Sequence, residues 1–242
     1  ASTLDLYWQP SPNASYYNLF LWEASAAVPV TPYMSNVSGT TARVYSLGYG
    51  KSYKWKIVTV NDCSTAESAT QTFKVRQLPD LTVTNIQAPA TVVSGSDFTI
   101  TFKVKNAGPG STFSAQWNDA IYLSADAAFS GDDKLLIAKS NQGQLAADSS
   151  YTQSIIVSLP IGYSGQYYLF VKTDSDNSVA EISEDNNLVK ASNALSVSLK
   201  PLPDILVKNI LATTANVTPG DSLQISWQVE NIGNALASGG WS

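Results

Sequence analysis

The sequence of 242 residues contains no histidine and a single cysteine, Cys63. Histidine is the usual general base, the usual activator of a nucleophile and a frequent zinc or iron ligand, so its absence argues against most catalytic and transition-metal sites. A single cysteine allows no disulfide within the chain, so each domain must be stabilised by its apolar core. We therefore expect a protein that is not an enzyme and that has no cofactor other than a metal ion bound by oxygen ligands.

Charge is also scarce, and none of it forms a basic cluster. Charged residues make up 14% of the chain, the net charge is −5 and the isoelectric point is near 4.6. Nucleic acids and anionic membranes bind basic surfaces, so we expect neither as a partner. No apolar run approaches the roughly 20 residues that a membrane helix requires, and we expect no membrane insertion.

What the chain does contain is alternation of apolar and polar residues. The clearest runs are residues 4–9, 17–22 and 53–58, and segments rich in proline, glycine and asparagine separate them. A period of two is typical of β strands, and the separating residues favour turns. With 44% hydrophobic residues the chain can form cores. The pattern predicts an all-β protein.

Two stretches of sequence occur twice. The run PDLTVTNI at residues 79–86 returns as PDILVKNI at 203–210, and FKVKNAG at 102–108 returns as WQVENIG at 227–233. Since Pro79 recurs as Pro203, the spacing is 124 residues, which is the length of a whole domain. We predict domains at residues 1–77, 78–200 and 201–242.

The two outer domains are expected to be incomplete. The second copy of the repeat stops at Trp241 and Ser242, the positions that match Trp117 and Asn118, and residues 1–77 open directly on the strand of Leu4. We therefore expect the chain to be a segment of a longer protein.

Residues 1–77 resemble a fibronectin type III domain. The resemblance rests on the L-x-L-x-W-x-P run at residues 4–10, on Leu47 six positions before Tyr53, and on the strand at 53–57. It implies a tyrosine corner, in which the Tyr53 hydroxyl is bonded back to the chain and its ring packs in the core. The first strand of that fold is missing here.

Residues 79–199 resemble the bacterial cell-adhesion-related domain, CARDB, and residues 203–242 resemble its first part. The matching motifs are PDL at 79–81, VKNAG at 104–108, IYLSAD at 121–126, GQYYL at 165–169 and EDNN at 184–187. The resemblance implies immunoglobulin-like β-sandwiches, repeated in secreted or surface-anchored proteins. The expected architecture is a tandem of such sandwiches joined by short proline-containing linkers at 77–80 and 200–204, which favour extended backbone.

Two acidic stretches are candidate metal sites. One contains Asp174, Asp176 and Glu184, and carboxylates on irregular loops are the ligands that calcium prefers. The other groups three aspartates around a Ser-Gly turn: Asp126, Asp132 and Asp133. In both places the same residues also suit tight turns without a metal, because Asp and Asn side chains accept hydrogen bonds from nearby backbone.

An aromatic pair is the candidate ligand-binding surface. Phe20 and Trp22 alternate with Leu19 and Leu21, so they face the opposite side of their strand. Exposed rings on that side would stack on a sugar or on a protein. A strand buried on both sides has the same pattern, so a role in the core or at a domain contact stays open.

Together these observations predict a non-catalytic stalk or adhesion segment of a larger exported bacterial protein, either secreted or on the cell surface. Its partners would be neighbouring domains of the same longer chain and a cell-surface protein or polysaccharide. The alternative is a carbohydrate- or protein-binding module that accompanies the catalytic domain of a secreted hydrolase.

Overall fold

The computed structural model describes residues 2–113, 116–212 and 216–238. Within these ranges every regular element is a β strand, which confirms the all-β prediction. None of the described residues forms a helix long and apolar enough to cross a membrane.

The first domain contains two sheets that pack against each other. Its strands are β1 (Ser2–Tyr7), β2 (Tyr16–Glu23), β3 (Met34–Val37), β4 (Thr41–Leu47), β5 (Ser52–Val60), β6 (Thr65–Glu67) and β7 (Gln71–Lys74). Strands β1 and β4 pair, and the other sheet has the order β3-β2-β5-β6 with β7 also paired to β5. Leu6 and Val44 from the first sheet meet Leu19 and Ile57 from the second in one buried cluster.

Tyr53 at the start of β5 makes the contacts that were expected of it. Its ring is buried and stacks on Phe73, with 5.6 Å between the ring centroids. Its hydroxyl accepts a hydrogen bond of 2.9 Å from the backbone N–H of Gly48. The residue therefore ties the turn after β4 to the core.

The second domain is also a two-sheet sandwich. Its strands are β8 (Leu81–Gln87), β9 (Thr91–Val93), β10 (Asp97–Asn106), β11 (Gln116–Ser124), β12 (Lys134–Gln142), β13 (Ser150–Ser158), β14 (Gly165–Lys172), β15 (Leu188–Lys190) and β16 (Leu195–Ser198). One sheet has the order β13-β10-β8, and the other has β12-β11-β14-β16-β9 with β15 paired to β14. Alternate residues of β10 are buried against Trp117 of the facing sheet.

The last segment repeats the start of the second domain but leaves its apolar residues exposed. Strands β17 (Ile205–Ala212) and β18 (Ile225–Asn231) pair in an antiparallel register, as β8 and β10 do. Trp227 corresponds to Phe102 in the sequence repeat; Phe102 is fully buried, whereas Trp227 is 61% exposed. Among the described residues of this segment, no second sheet covers that face.

The Asn-Ala-Gly motif at residues 106–108, which recurs as Asn-Ile-Gly at 231–233, holds the beginning of the second domain against the rest of that domain. The Asn106 side chain is fully buried, and its Oδ1 accepts hydrogen bonds from the backbone N–H groups of Asp80 at 3.0 Å and Gly108 at 3.1 Å. Its Nδ2 donates to the carbonyl oxygens of Gly110 at 2.8 Å and Ala146 at 3.0 Å. One carboxamide thus joins three separate stretches of backbone.

The glycine of the same motif allows this close approach. A Cβ atom on Gly108 would lie 2.5 Å from the backbone nitrogen of Asp80, a distance that side chains do not tolerate. In the last segment Asn231 accepts hydrogen bonds from Asp204 and Gly233 at 3.0 Å each, and a Cβ on Gly233 would lie 2.4 Å from the Asp204 nitrogen. The sequence repeat is therefore a repeat of one backbone anchor.

We expect Asn106→Ala to destabilise the second domain by about 3 kcal/mol, because two buried N–H donors lose their acceptor and each such loss costs roughly 1–3 kcal/mol. For a domain of this size the melting temperature of its transition should fall by about 10 °C. Calorimetry of the full chain measures this. The exposed Asn193 provides the control, since Asn193→Ala should shift the transition hardly at all. Equal shifts for the two variants would contradict the anchoring role.

Candidate functional site

Three carboxylates converge on the loop between β14 and β15. Oxygen atoms of Asp174, Glu181 and Glu184 all lie within 4.8 Å of one another, and no other group of this kind occurs among the described residues. We call these three residues the acidic cluster. Asp174 is fully buried, Glu181 is 8% exposed and Glu184 is exposed. The cluster therefore reaches from the domain interior to solvent.

Asp174 forms the first turn of this loop. Its φ of 42° lies in the left-handed region, which Asp tolerates better than most residues. Oδ1 accepts a hydrogen bond from the N–H of Ser178 at 2.8 Å, and Oδ2 accepts one from Val179 at 2.9 Å. The Val179 side chain is buried in the core of the domain. Asp174 therefore forms a turn, as one interpretation of the sequence predicted, and its carboxylate also belongs to the acidic cluster.

Glu181 connects the loop to the beginning of the domain. Its Oε2 accepts a short hydrogen bond from the backbone N–H of Leu81, and its Oε1 accepts one of 3.0 Å from Nδ2 of Asn187. Asn187 is fully buried, and its Oδ1 has no hydrogen-bond donor. A buried amide oxygen without a partner costs free energy, and this one belongs to a side chain in contact with the cluster.

The charges of the cluster are not balanced by basic side chains. In the part of the chain that the structure describes, no Lys or Arg forms a salt bridge with any of the three carboxylates. Burial raises the pKa of Glu181 to about 7, and the nearby carboxylates of Glu184 and Asp174 add to this. Burial likewise raises the pKa of Asp174. Such an arrangement has two ways to lower its energy, which are binding a proton and binding a cation.

Asp176, which the sequence suggested as a ligand, lies outside the cluster. Its carboxylate accepts hydrogen bonds from the backbone N–H of Asn118 at 3.1 Å, from Nδ2 of the same residue at 3.0 Å and from the Ser178 hydroxyl at 2.8 Å. Asp176 thus fastens the loop to β11. Glu181 takes its place in the cluster. Its apolar neighbours Ala180 and Ile182 are both exposed, so the sequence around Glu181 carried no signal for its burial.

Asp126, Asp132 and Asp133 form turn contacts instead of a cluster. Asp126 accepts a hydrogen bond of 2.8 Å from the N–H of Ala128, and Asp133 accepts one of 2.9 Å from Ser130. Asp132 is bonded to the Ser130 hydroxyl. These contacts match the turn alternative that the sequence left open.

The expected pair of exposed rings on β2 is absent. Trp22 is only 8% exposed, and Phe20 is half-buried with Nζ of Lys56 5.5 Å from its ring centroid. The two most exposed rings among the described residues of this domain lie on the other sheet: Tyr7 is 70% and Tyr45 is 53% exposed. Both alternate with core residues in their strands, so the same period-two argument was available for them.

The two exposed tyrosines flank an ion pair. Arg43 on β4 donates from Nε and Nη2 to the two carboxylate oxygens of Asp5 on β1, each at 2.7 Å. Asp5 lies directly opposite Arg43 in the strand register, with Tyr7 two residues beyond Asp5 and Tyr45 two residues beyond Arg43. These four side chains form the outward face of the β1-β4 sheet.

A comparison with protein families gives a match for the second domain. Residues 78–191 match the CARDB family model. The match agrees with the resemblance noted from its motifs, and CARDB is a cell-adhesion-related domain with a β-sandwich fold. A fibronectin type III domain is not shown for residues 1–77, and that resemblance stays a prediction. No curated protein matches the sequence.

Several solved structures are similar to part of the chain. A crystal structure of a CARDB domain from Pyrococcus furiosus, in complex with di-metal ions, is 22% identical and covers 51% of this chain and 96% of its own, with a TM-score of 0.39. The solution structure of that domain is 23% identical over 51% of this chain and 99% of its own, with a TM-score of 0.38. A β-glucosidase from Listeria innocua is 14% identical over 50% of this chain and 16% of its own, with a TM-score of 0.33. Similarities of this size do not extend to function.

A further ionisable group, Asp119, lies inside the CARDB domain. Asp119 is fully buried. Its Oδ2 accepts hydrogen bonds from the Tyr151 hydroxyl at 2.5 Å and from Nε2 of Gln153 at 3.0 Å. Its Oδ1 accepts one from the Thr173 hydroxyl at 2.7 Å. Sequence reasoning missed this residue. It occupies an inward position of β11, between Trp117 and Ile121, and a charged residue at such a position is the available signal.

Burial raises the pKa of Asp119 from 3.8 to about 6, although its hydrogen-bond donors oppose the change. The folded domain therefore binds this proton more tightly than the unfolded chain does. As the pH rises from about 4 to 6, the contribution of Asp119 to the free energy of unfolding falls by about 3 kcal/mol in total. Above this range the contribution is constant.

We expect Asp119→Asn to remove this part of the pH dependence, since the amide keeps the shape of the carboxyl group without titrating. Urea unfolding in calcium-free buffer at pH 4, 5, 6 and 7 measures it. Asp185→Asn, at an exposed carboxylate, should leave the dependence unchanged. An Asp119→Asn variant whose stability still falls by the same amount would show that the pKa of Asp119 does not differ between the folded and unfolded chain.

Proposed function

We propose that the chain is a non-catalytic spacer segment of an exported protein, in which tandem β-sandwiches hold neighbouring domains of the same protein at a defined separation. The match of residues 78–191 to a cell-adhesion-related family supports this setting. The absence of histidine from the sequence supports a non-catalytic role. The fibronectin type III-like contacts of Tyr53 support the first domain as a second sandwich of the same mechanical kind.

The observation that carries the proposal is the attachment of the first linker to the CARDB domain. The carbonyl oxygen of Leu78 accepts a hydrogen bond of 3.0 Å from Gly110, that of Pro79 accepts one of 2.9 Å from Ile182, and that of Asp80 accepts one of 2.7 Å from Ala107. Three consecutive linker carbonyls are therefore bonded to two different loops of the domain.

The linker lies so close to the domain that side chains are excluded from the contact. A Cβ on Gly110 would lie 2.1 Å from the carbonyl oxygen of Gln77. Next to this contact, the guanidinium of Arg76 lies 3.8 Å from the ring centroid of Phe113, in a cation–π arrangement. A linker held in this way transmits orientation, which a flexible Gly/Ser linker does not.

We expect the first junction of the unaltered chain to be stiff and Gly110→Val to loosen it, because the new side chain displaces the Gln77 carbonyl. Cys63, which is free and exposed, carries one spin label, and a Gln166→Cys substitution at an exposed site carries the other. Electron–electron resonance should give a narrow distance distribution that broadens in Gly110→Val. Gly131→Val is the matched control, since nothing lies within 4 Å of the Cβ position there.

With calcium chloride present, a broad distribution in the unaltered chain would contradict the spacer function. So would equal broadening in both glycine variants, because Gly131 has no contact with the linker.

We further propose calcium as the cation of the CARDB domain. All the candidate ligand atoms are oxygens, from the carboxylates of the acidic cluster and from the amide of its neighbour Asn187. Histidine nitrogen and cysteine sulfur are not among these ligand atoms. Oxygen donors favour calcium, magnesium or manganese, and an irregular loop suits the variable coordination of calcium better than the strict octahedron of magnesium. An exported protein meets calcium at millimolar concentration, so a weak site suffices.

The alternative of a polysaccharide- or protein-binding module is favoured by a different surface from the one that the sequence suggested. Tyr7 and Tyr45 are exposed beside the Arg43–Asp5 pair, and rings next to a charged pair suit both stacking and hydrogen bonding. If this function holds, Tyr7→Ala combined with Tyr45→Ala should weaken binding to cell-wall polysaccharide at least tenfold in a sedimentation assay. Phe20→Ala is the control and should leave binding unchanged. No binding by the unaltered chain would exclude the alternative.

A further inference from the structure

The loop that carries the acidic cluster also contacts the residues with which the second domain begins. Glu181 accepts the backbone N–H of Leu81, and the N–H of its neighbour Ile182 donates to the carbonyl of Pro79. From the end of the same loop, Nδ2 of Asn186 donates to Oδ1 of Asp80 at 3.0 Å. The loop that carries the cluster therefore also holds residues 79–81, where the chain enters the CARDB domain from the first linker.

Asn187 shows that the cluster is prepared for more than turn formation. Its amide nitrogen lies 3.0 Å from Oε1 of Glu181, which fixes the orientation of the amide, because the reverse orientation would place two oxygens against each other. Oδ1, on the same amide carbon, is left buried and without a donor beside the cluster. A cation bound between this amide and the cluster would be coordinated by the unpaired Oδ1 of Asn187 and would offset the charge of the carboxylates.

Without a cation, the carboxylates repel each other in a partly buried site. Repulsion acts directly on Glu181 and so on the hydrogen bond from Leu81. A bound cation reverses the sign of this interaction and draws Glu181, Glu184 and Asp174 together. The free energy of cation binding is therefore coupled to the closure of the loop over residues 79–81.

We propose that Asp174, Glu181, Glu184 and Asn187 bind calcium and that the bound ion locks residues 79–81 onto the CARDB domain, so that calcium controls the stiffness of the first junction. This inference rests on the proposed calcium binding of the domain. It adds the ligand set, in which Glu181 and Asn187 replace Asp176, and the structural effect of the ion.

The test uses calcium chloride with the full chain and has two readouts. Isothermal titration calorimetry measures binding, and hydrogen exchange measures opening at the amides of Leu81 and Ile182. If the open loop does not bind the ion, calcium at ten times its Kd should slow exchange at both amides about tenfold. Magnesium at the same concentration should slow it far less, since the irregular loop does not offer an octahedron.

Two matched variants locate the site. Glu184 is exposed, so Glu184→Gln should leave the fold intact while weakening calcium binding at least tenfold and abolishing the slowing of exchange. Asp185→Asn removes the neighbouring exposed carboxylate, which is not in the cluster, and should leave both readouts unchanged.

The possible failures are distinguishable. No heat of calcium binding in the unaltered chain would overturn both the proposed calcium binding and this inference. Calcium binding with unchanged exchange at Leu81 and Ile182 would overturn the inference alone and leave a calcium site without a mechanical role. Equal loss of binding in Glu184→Gln and Asp185→Asn would place the ion elsewhere and would also overturn the inference.

Discussion

The structure depends on the burial of a single carboxamide, that of Asn106, against the backbone where the CARDB domain begins. An N–H without an acceptor is costly, and Asn106 accepts hydrogen bonds from the N–H groups of Asp80 and Gly108 while it donates to the carbonyls of Gly110 and Ala146. Gly108 makes this geometry possible because it brings one backbone against another at a distance that excludes a Cβ. The recurrence of the same contacts around Asn231 and Gly233 ties the start of each copy to the body of its domain.

This anchor explains why a linker and a candidate metal site meet in one place. Residues 79–81 are held on one side by the Asn106 loop and on the other by the loop of Glu181. The first set of contacts involves only uncharged groups, whereas the second contains carboxylates whose energy depends on what neutralises them. Under the proposed function, the second set is the one through which calcium would act on the junction.

The interior of the CARDB domain contains a second carboxylate of a different kind. Asp119 has three hydrogen-bond donors, none of them basic: Tyr151, Gln153 and Thr173. Trp117 donates in turn to the Tyr151 hydroxyl. Thr173 immediately precedes Asp174, so this network holds the first residue of the acidic loop against the core. The two groups of acidic residues therefore share one stretch of backbone, although only the acidic cluster reaches solvent.

The sequence by itself determined the all-β fold and the repeat, because strand alternation, turn residues and a repeat of 124 residues are local or periodic signals. It also indicated the acidic loop and its two alternatives. Only the tertiary structure decided which carboxylates converge. Glu181 and Asp176 are equally acidic in the sequence, and they differ in the residue that each contacts in the fold. Glu181 accepts a hydrogen bond from Leu81, one hundred residues away, whereas Asp176 accepts one from Asn118. The exposure of Tyr7 and the burial of Trp22 were decided in the same way, by the packing of whole sheets, which no single strand's pattern records.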